Sequence, residues 1–250
     1  RYYAKKLSHG NVSIIGSEES PVILKSIEKD KYWGGIAILG NSELPESELR
    51  NVNISNTNKI IEDGWSTNTG FLAYNVNIRM DQVSITNNSS EDALNLFNSL
   101  YYLNGVHIEN TASDGVDSDF STGQIIDSVF SNIGYLGGGD AIDFSGSDVL
   151  IKGLSINEVS DKGISIGEKS NIKANDISLF DLPVGIAIKD GSSLFLENSV
   201  IDNASYSGVM AYTKKAAYGG ADAKLIGVNI KNSVNDILSD LGSSVYLDDV

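Results

Sequence analysis

Short alternations of apolar and polar residues recur along the chain, and most of them are 23 residues apart. One repeated unit has the form apolar, two variable, apolar, variable, apolar, as in Leu103, Val106 and Ile108. Its middle position predicts a column of inward-facing side chains: Val52, Val83, Val106, Val129, Leu154, Ile177, Val200 and Val228. Alternation of this kind is typical of half-buried strands, and no segment keeps the spacing of a long amphipathic helix.

A second series of segments also alternates, and it begins with "DALNLF" at 92, "DGVDSDF" at 114 and "DAIDFS" at 140. Each repeat therefore reads as strand, turn, strand, turn. A unit of roughly 22 residues cannot bury its own apolar face, but stacked units form a continuous core. We predict an all-β fold, a right-handed parallel β-helix solenoid of about nine coils that occupies residues 1–250 as one domain.

Composition narrows the possible partners. The chain has 250 residues, a formal net charge of -15 and no cysteine. A surface that acidic disfavours nucleic acid and anionic membranes, because binding phosphate requires Lys and Arg. No apolar run is long enough to insert in a bilayer. The chain starts at Arg1, so we interpret it as a fragment of a larger protein whose flanking domains are possible partners.

Aspartates crowd into "SDGVDSDFSTG", residues 113–123. Strand alternation predicts that Val116 and Ser118 point inward and that Asp117 and Asp119 point outward. The same register places outward side chains of successive repeats one above another. We therefore expect one stack of Asn95, Asp117, Asp143 and Ser165, and a second of Asp92, Asp114 and Asp140.

Carboxylates stacked at about 5 Å repel one another by roughly 1 kcal/mol even in water. A calcium ion would remove that cost, since it takes six to eight oxygen ligands in loose geometry. This hypothesis assigns the metal ligands as Asp114, Asp117, Asp119, Asp140 and Asp143. The alternative is that these aspartates cap turns through local backbone hydrogen bonds.

The segment "MAYTKKAAYGG", residues 210–220, interrupts the repeat and is expected to loop out from the same face. Sugar rings would stack on Tyr206, Tyr212 and Tyr218, while Lys214 and Lys215 would pair with carboxylates or sulfates. Loops raised on a rigid scaffold commonly carry binding function. The alternative is a solubilising loop with its aromatic side chains packed on the rod.

The segment "SPVILKSIEKDKYWGGIAILG", residues 20–40, resembles the opening coils of exported bacterial β-helix proteins of the pectin-lyase-like type. In those proteins an apolar strand leads through a loop to a Trp-Gly-Gly-Ile strand. The resemblance implies an extracellular or cell-surface location.

"SDGVDSD", followed one repeat later by "GDAIDF", resembles the Asp-Gly-Ile-Asp signature of the calcium-dependent pectate lyases of polysaccharide lyase family nine. The resemblance implies that Asp114, Asp117 and Asp119 bind calcium together with Asp140 or Asp143, and that a lysine abstracts a proton. Where that family has its lysine, this chain has Asp143 and then Ser165. The base would then come from Lys162, Lys169 or Lys189, none of which is at that family's position.

Two functions follow from these patterns. The first is binding of an acidic polysaccharide through the cation-binding Asp cluster. Its more specific version is that the protein also cleaves the polysaccharide by calcium-dependent β-elimination. The second is a non-catalytic structural or adhesive β-helix tail of a larger exported bacterial protein. The Gly-His-Gly motif of hydrolytic β-helices is missing, because the only histidines are His9 and His107.

Overall fold

A computed structural model describes residues 6–28, 30–41, 43 and 45–248. All of its regular elements are strands. They are β1 Lys6–His9, β2 Ser13–Ile15, β3 Val22–Leu24, β4 Ile36–Leu39, β5 Ser47–Ser55, β6 Ile60–Glu62, β7 Trp65–Thr67, β8 Phe71–Tyr74, β9 Asn77–Asn88, β10 Asp92–Phe97, β11 Leu100–Asn104, β12 His107–Thr111, β13 Asp114–Asp119, β14 Thr122–Ile126, β15 Val129–Ile133, β16 Ile142–Ser145, β17 Asp148–Val159, β18 Lys162–Gly167, β19 Asn171–Lys189, β20 Ser193–Glu197, β21 Val200–Tyr212, β22 Asp222–Ile226, β23 Asn229–Lys231, β24 Ile237–Ser239 and β25 Ser244–Asp248.

The strands stack in parallel on three faces of a solenoid. Face A consists of β1, β4, β8, β10, β13, β16, β18, the end of β19, the end of β21 and β24. The second face runs from β2 to β25, and the third runs from β3 to β23. The short hairpin of β6 and β7 is antiparallel and stands apart from these faces. The predicted right-handed parallel β-helix is confirmed, with about eight turns.

One continuous core fills the solenoid from Trp33 to Val228. It contains three fully buried phenylalanines, Phe71, Phe130 and Phe144, together with stacked Ile, Leu and Val side chains. Apolar burial of this kind is the main favourable contribution to folding. Alternation along face A has the predicted direction, since Val116 and Ser118 are both fully buried.

The predicted inward column is wrong at two of its eight positions. Val129 is 46% exposed, and the column position belongs to the buried Ser128. In the same way, Ser199 is buried where the pattern favoured Val200. The serine hydroxyls are tolerated in the interior because each accepts a hydrogen bond from a backbone N–H of the preceding turn. For Ser128 the donor is Val106 N, 3.1 Å from the hydroxyl oxygen.

Asparagines mark many of the turns. Asn56, Asn87, Asn110 and Asn132 all have φ between 50° and 59°, a left-handed conformation that asparagine tolerates better than most residues. Their amides also form a ladder, in which Asn110 Nδ2 donates to Asn87 Oδ1 at 3.2 Å. The asparagines therefore set both the direction of the chain at this corner and the stacking of one turn on the next.

A buried serine ladder lies at the corner that follows face A. Each serine Oγ accepts the backbone N–H of the equivalent residue one turn earlier, at 2.9–3.2 Å. The acceptors are Ser99, Ser121, Ser147, Ser170 and Ser192. Buried backbone N–H groups need partners, and these hydroxyls supply them where the strands are interrupted.

We expect the substitution Ser147→Ala to lower the free energy of unfolding by about 1–3 kcal/mol, because it leaves the buried N–H of Ser121 without its acceptor. Urea unfolding measures the change. Ser193→Ala is the matched control, since the Ser193 hydroxyl bonds the Asn171 side chain at the surface. Equal losses in the two variants would show that the ladder contributes nothing specific.

A candidate active site of stacked carboxyl groups

Face A carries six aspartates on three successive turns, which we name the carboxyl cluster. Its members are Asp92, Asp114, Asp117, Asp119, Asp140 and Asp143. The predicted register is confirmed: Asn95, Asp117, Asp143 and Ser165 are consecutive neighbours across the strands. In the adjacent outward row, Asp119 lies between Phe97 and Ser145.

The centre of the cluster is Asp117. Its Oδ2 accepts a hydrogen bond of 2.9 Å from Asn95 Nδ2. Burial, together with the nearby carboxyl groups of Asp92 and Asp119, raises the pKa of Asp117 to about 9. Asp119 also has a raised pKa, chiefly through burial, and its interaction with Asp117 acts in the opposite direction. The shift favours the protonated form of Asp117 at neutral pH.

Asp92, Asp114 and Asp140 form the predicted second stack. Burial raises the pKa of Asp92 to about 8 and that of Asp114 to about 6. Burial likewise raises the pKa of Asp140 to about 7, although the ammonium of Lys162 opposes the shift. Raised pKa values gathered in one place are typical of functional sites.

Backbone capping accounts for part of this second stack. Asp114 Oδ1 accepts the N–H of Asp140 at 2.9 Å, and Asp140 Oδ1 accepts the N–H of Lys162 at 3.0 Å. Each carboxyl group thus bonds the backbone of the following turn. The capping alternative raised by the sequence therefore has structural support at Asp114 and Asp140. Asp117 and Asp143 lie on the strands and carry no such bond in the described structure.

Lys162 is a poor general base. Its Nζ is 3.2 Å from Asp140 Oδ1, and it also forms an ion pair with Asp161. These two carboxylates raise the pKa of Lys162 above its usual range even though burial opposes them. A general base needs a pKa close to the working pH, so the shift has the wrong sign for the predicted role.

Lys189 lies inside the cluster. The residue is 5% exposed, and its Nζ donates to Ser165 Oγ at 2.6 Å. The same Nζ is 3.7 Å from Asp143 Oδ1, a buried oxygen that has no hydrogen-bond partner among the described residues. The structure therefore brings Lys189 and Asp143 together, and the ammonium offsets part of the charge of the aspartates.

Calcium is not supported by the arrangement of the acids. Within the described residues, no group of three or more Asp, Glu, His or Cys side chains is disposed to hold a metal ion. Calcium prefers six to eight oxygen ligands, so backbone carbonyls or water would have to complete any site here. The calcium ligands implied by the resemblance stay a prediction, and no step below depends on them.

The predicted binding loop folds back on the rod. Lys214 N donates to Oδ1 of the fully buried Asp190 at 2.8 Å. Lys215 forms an ion pair with Glu168, whose Oε2 accepts a bond of 2.7 Å from Ser145 in the row of Asp119. The loop therefore lies beside the carboxyl cluster, as expected.

The tyrosines of this region have separate positions. Tyr212 is the neighbour of Lys189 on the next strand, so it continues the outward row of Asp119. Tyr218 is 38% exposed, and the ammonium of Lys169 lies 5.9 Å from the centre of its ring. Sugar binding by either tyrosine stays a prediction.

The two acidic residues that anchor the loop, Asp190 and Glu168, were not predicted, because in the sequence they resemble ordinary turn residues.

Comparisons with known proteins agree on the fold. Residues 115–233 match the model of the right-handed beta helix region. No curated protein sequence matches the chain. No helix in the described part of the chain could span a membrane.

Two solved structures show the same architecture. The chain superposes on the catalytic domain of a GH87 alpha-1,3-glucanase in complex with tetrasaccharides, with a TM-score of 0.51 and 15% identity, over 97% of this chain and 61% of that one. It also superposes on the catalytic unit of a thermostable GH87 alpha-1,3-glucanase from Streptomyces thermodiastaticus strain HF3-3, with a TM-score of 0.52 and 11% identity, over 97% of this chain and 62% of that one. The chain thus spans less than two thirds of each catalytic domain.

Proposed function

We propose that face A binds a polysaccharide and cleaves its glycosidic bonds by acid–base catalysis in the carboxyl cluster. The observation that carries this proposal is the stacking of Asp117 between Asn95 and Asp143, where burial and the neighbouring carboxyl groups raise the pKa of Asp117 to about 9. A carboxyl group whose environment raises its pKa in this way is a candidate general acid.

Hydrolysis then follows ordinary glycosidase chemistry. Asp117 gives its proton to the glycosidic oxygen as the bond from the anomeric carbon to that oxygen breaks. A second carboxyl group of the cluster, Asp119 or Asp143, acts as the base that takes a proton from the attacking water, whose oxygen bonds to the anomeric carbon. Lys189 forms an ion pair with Asp143 beside this base.

A neutral polysaccharide suits this surface better than an acidic one. The chain as a whole has a formal net charge of -15. An anionic glycan would be repelled unless a cation lay between the two. A neutral polysaccharide is therefore the first substrate to test, in place of the acidic one predicted from the sequence.

The two similar structures support a glycan ligand by analogy of fold, since both are alpha-1,3-glucanase catalytic domains. Fold alone does not determine activity, so the proposal depends on the site. Action on a polysaccharide also agrees with the extracellular or cell-surface location that we propose for the chain.

The test is incubation with alpha-1,3-glucan, mixed-linkage beta-glucan and galactomannan, followed by an assay for new reducing ends. We expect at least one of them to be hydrolysed without unsaturated products. If none is cleaved while pectate or alginate gives products absorbing in the ultraviolet, the reaction is an elimination. If no polysaccharide is cleaved, the non-catalytic structural or adhesive tail is the better description.

Calcium-dependent elimination is tested separately, because the resemblance to lyases implies it. Thermal melting is compared in calcium and in chelator. An ion present at a hundred times its dissociation constant would add about 2.7 kcal/mol of stability. A saturable increase that Asp143→Asn removes would support a calcium site, whereas an unchanged melting temperature would exclude one.

A further inference from the structure

We infer that an aromatic strip, formed by Tyr74, Phe97 and Phe120 along face A together with Trp65 of the β6–β7 hairpin, provides binding subsites that guide a neutral glycan chain to the carboxyl cluster. This inference rests on the proposed function and adds where and how the substrate is held. No feature of the sequence repeat singled out these four residues as a group.

The strip is continuous along the axis of the solenoid. Tyr74 and Phe97 are neighbours across the strands, and their rings stack with centroids 5.2 Å apart and planes within 8°. Phe120 on the next turn meets Phe97 edge to face at 5.8 Å. Three successive turns therefore each present one ring, close to the ordinary strand spacing of about 4.8 Å.

The strip is exposed at both ends of this stack. Tyr74 is 46% exposed and Phe120 is 61% exposed. Beyond Tyr74, a cavity of about 260 Å³ is lined by Leu39, Trp65, Leu72 and Tyr74. A contiguous apolar surface of this kind on a soluble protein commonly marks a ligand or interaction site.

Position connects the strip to the carboxyl cluster. Phe97 is the direct neighbour of Asp119 across the strands, and Phe120 follows Asp119 in the chain. The ring of Phe120 covers Gly146 of the next turn so closely that a Cβ there would lie 2.8 Å from a ring carbon. The strip thus ends directly beside the acids, where a bound chain would have its scissile bond.

A glycan is the occupant that fits these features. Because Tyr74 and Phe97 stack on each other, a sugar chain lying along the rod would pack its C–H groups against the exposed edges of these rings. A linear polysaccharide repeats along its length much as the rings repeat along the rod. Hydrogen-bonding groups also flank the rings, since Asn98 Nδ2 donates to Asn75 Oδ1 at 3.2 Å in the adjacent row. Aromatic rings with polar groups at their edges suit hydroxylated, uncharged ligands.

The experiment measures binding of alpha-1,3-glucan, mixed-linkage beta-glucan and galactomannan by affinity electrophoresis, using the Asp117→Asn chain to prevent turnover. We expect Tyr74→Ala combined with Phe120→Ala to weaken binding by about tenfold or more. Tyr246→Ala is the matched control, because Tyr246 is 55% exposed on the second face. The strip variant should still unfold in one cooperative transition, with only a small decrease in melting temperature from the lost ring contacts with Phe97.

Fluorescence gives a second measurement. Trp65 and the buried Trp33 are the only tryptophans, so ligand binding at the strip should alter the emission of Trp65. The inference is overturned if the strip variant binds as tightly as its parent, if none of the three glycans binds, or if the substitutions only convert a dimer to a monomer. If the strip variant loses binding while Asp117→Asn still cleaves normally, the catalytic role of Asp117 is refuted, but glycan binding by the aromatic strip is supported.

Discussion

Replacing Asp117 by Asn is expected to slow polysaccharide cleavage by about 10²–10⁴-fold, the usual contribution of a general acid or base. The amide keeps the shape of the side chain, but it cannot transfer a proton to the glycosidic oxygen. It also keeps an acceptor for Asn95 Nδ2, which now lies 2.9 Å from Asp117 Oδ2. The loss should therefore appear in kcat rather than in KM.

Asp148→Asn provides the control, because Asp148 is an exposed aspartate on another face of the rod. We expect this variant to cleave at the parental rate. The measurement is the initial rate of reducing-end release across pH 4–9, compared between the Asp117→Asn and Asp148→Asn variants. An Asp117→Asn chain that retains full activity would refute the role of Asp117 and would leave glycan binding as the only function of the face.

The periodicity of the chain was sufficient to predict the solenoid, because only stacking can bury the apolar face of such short repeats. It failed locally at Val129 and Val200, where the apolar residue next to a serine was assigned to the core. Burial of Ser128 and Ser199 depends on backbone N–H groups of the preceding turn, which become neighbours only after stacking. Hydrophobic pattern alone carries no information about such bonds.

Register also predicted which acids of face A would meet, but it could not predict their charge states. The pKa of Asp117 depends on burial and on Asp92, 25 residues earlier in the chain. The sequence likewise did not predict the ion pair of Lys162 with Asp161, which favours the charged lysine, or the ion pair of Lys215 in the flanking loop with Glu168. The aromatic strip escaped notice because its rings come from separate turns and from the hairpin of β6 and β7.

Stability is expected to fall as pH rises from about 5 to 9. The raised pKa values of Asp92, Asp114, Asp117 and Asp140, about 8, 6, 9 and 7, mean that these groups keep protons in the folded chain that the unfolded chain releases near pH 4. The folded state binds more protons in this interval, so the free energy of unfolding decreases with pH. We expect a total loss of several kcal/mol, because one pKa unit in one group is worth about 1.4 kcal/mol, while the coupled titration of neighbouring groups keeps the total below the sum of the four shifts taken separately.

Other shifted groups act outside this interval. The lowered pKa of Glu168, held down by Lys215 against burial, contributes stability that is lost only in acid. The raised pKa of Lys162 contributes stability that is lost only above about pH 10. Urea unfolding at pH 5, 7 and 9 should therefore report the aspartates alone, and Asp92→Asn combined with Asp117→Asn should flatten the curve and stabilise the chain at pH 9. Stability that increases between pH 5 and 9 in the parent would mean that these carboxyl groups are ionised and compensated in the folded state, and the proton that Asp117 is proposed to donate would not be there.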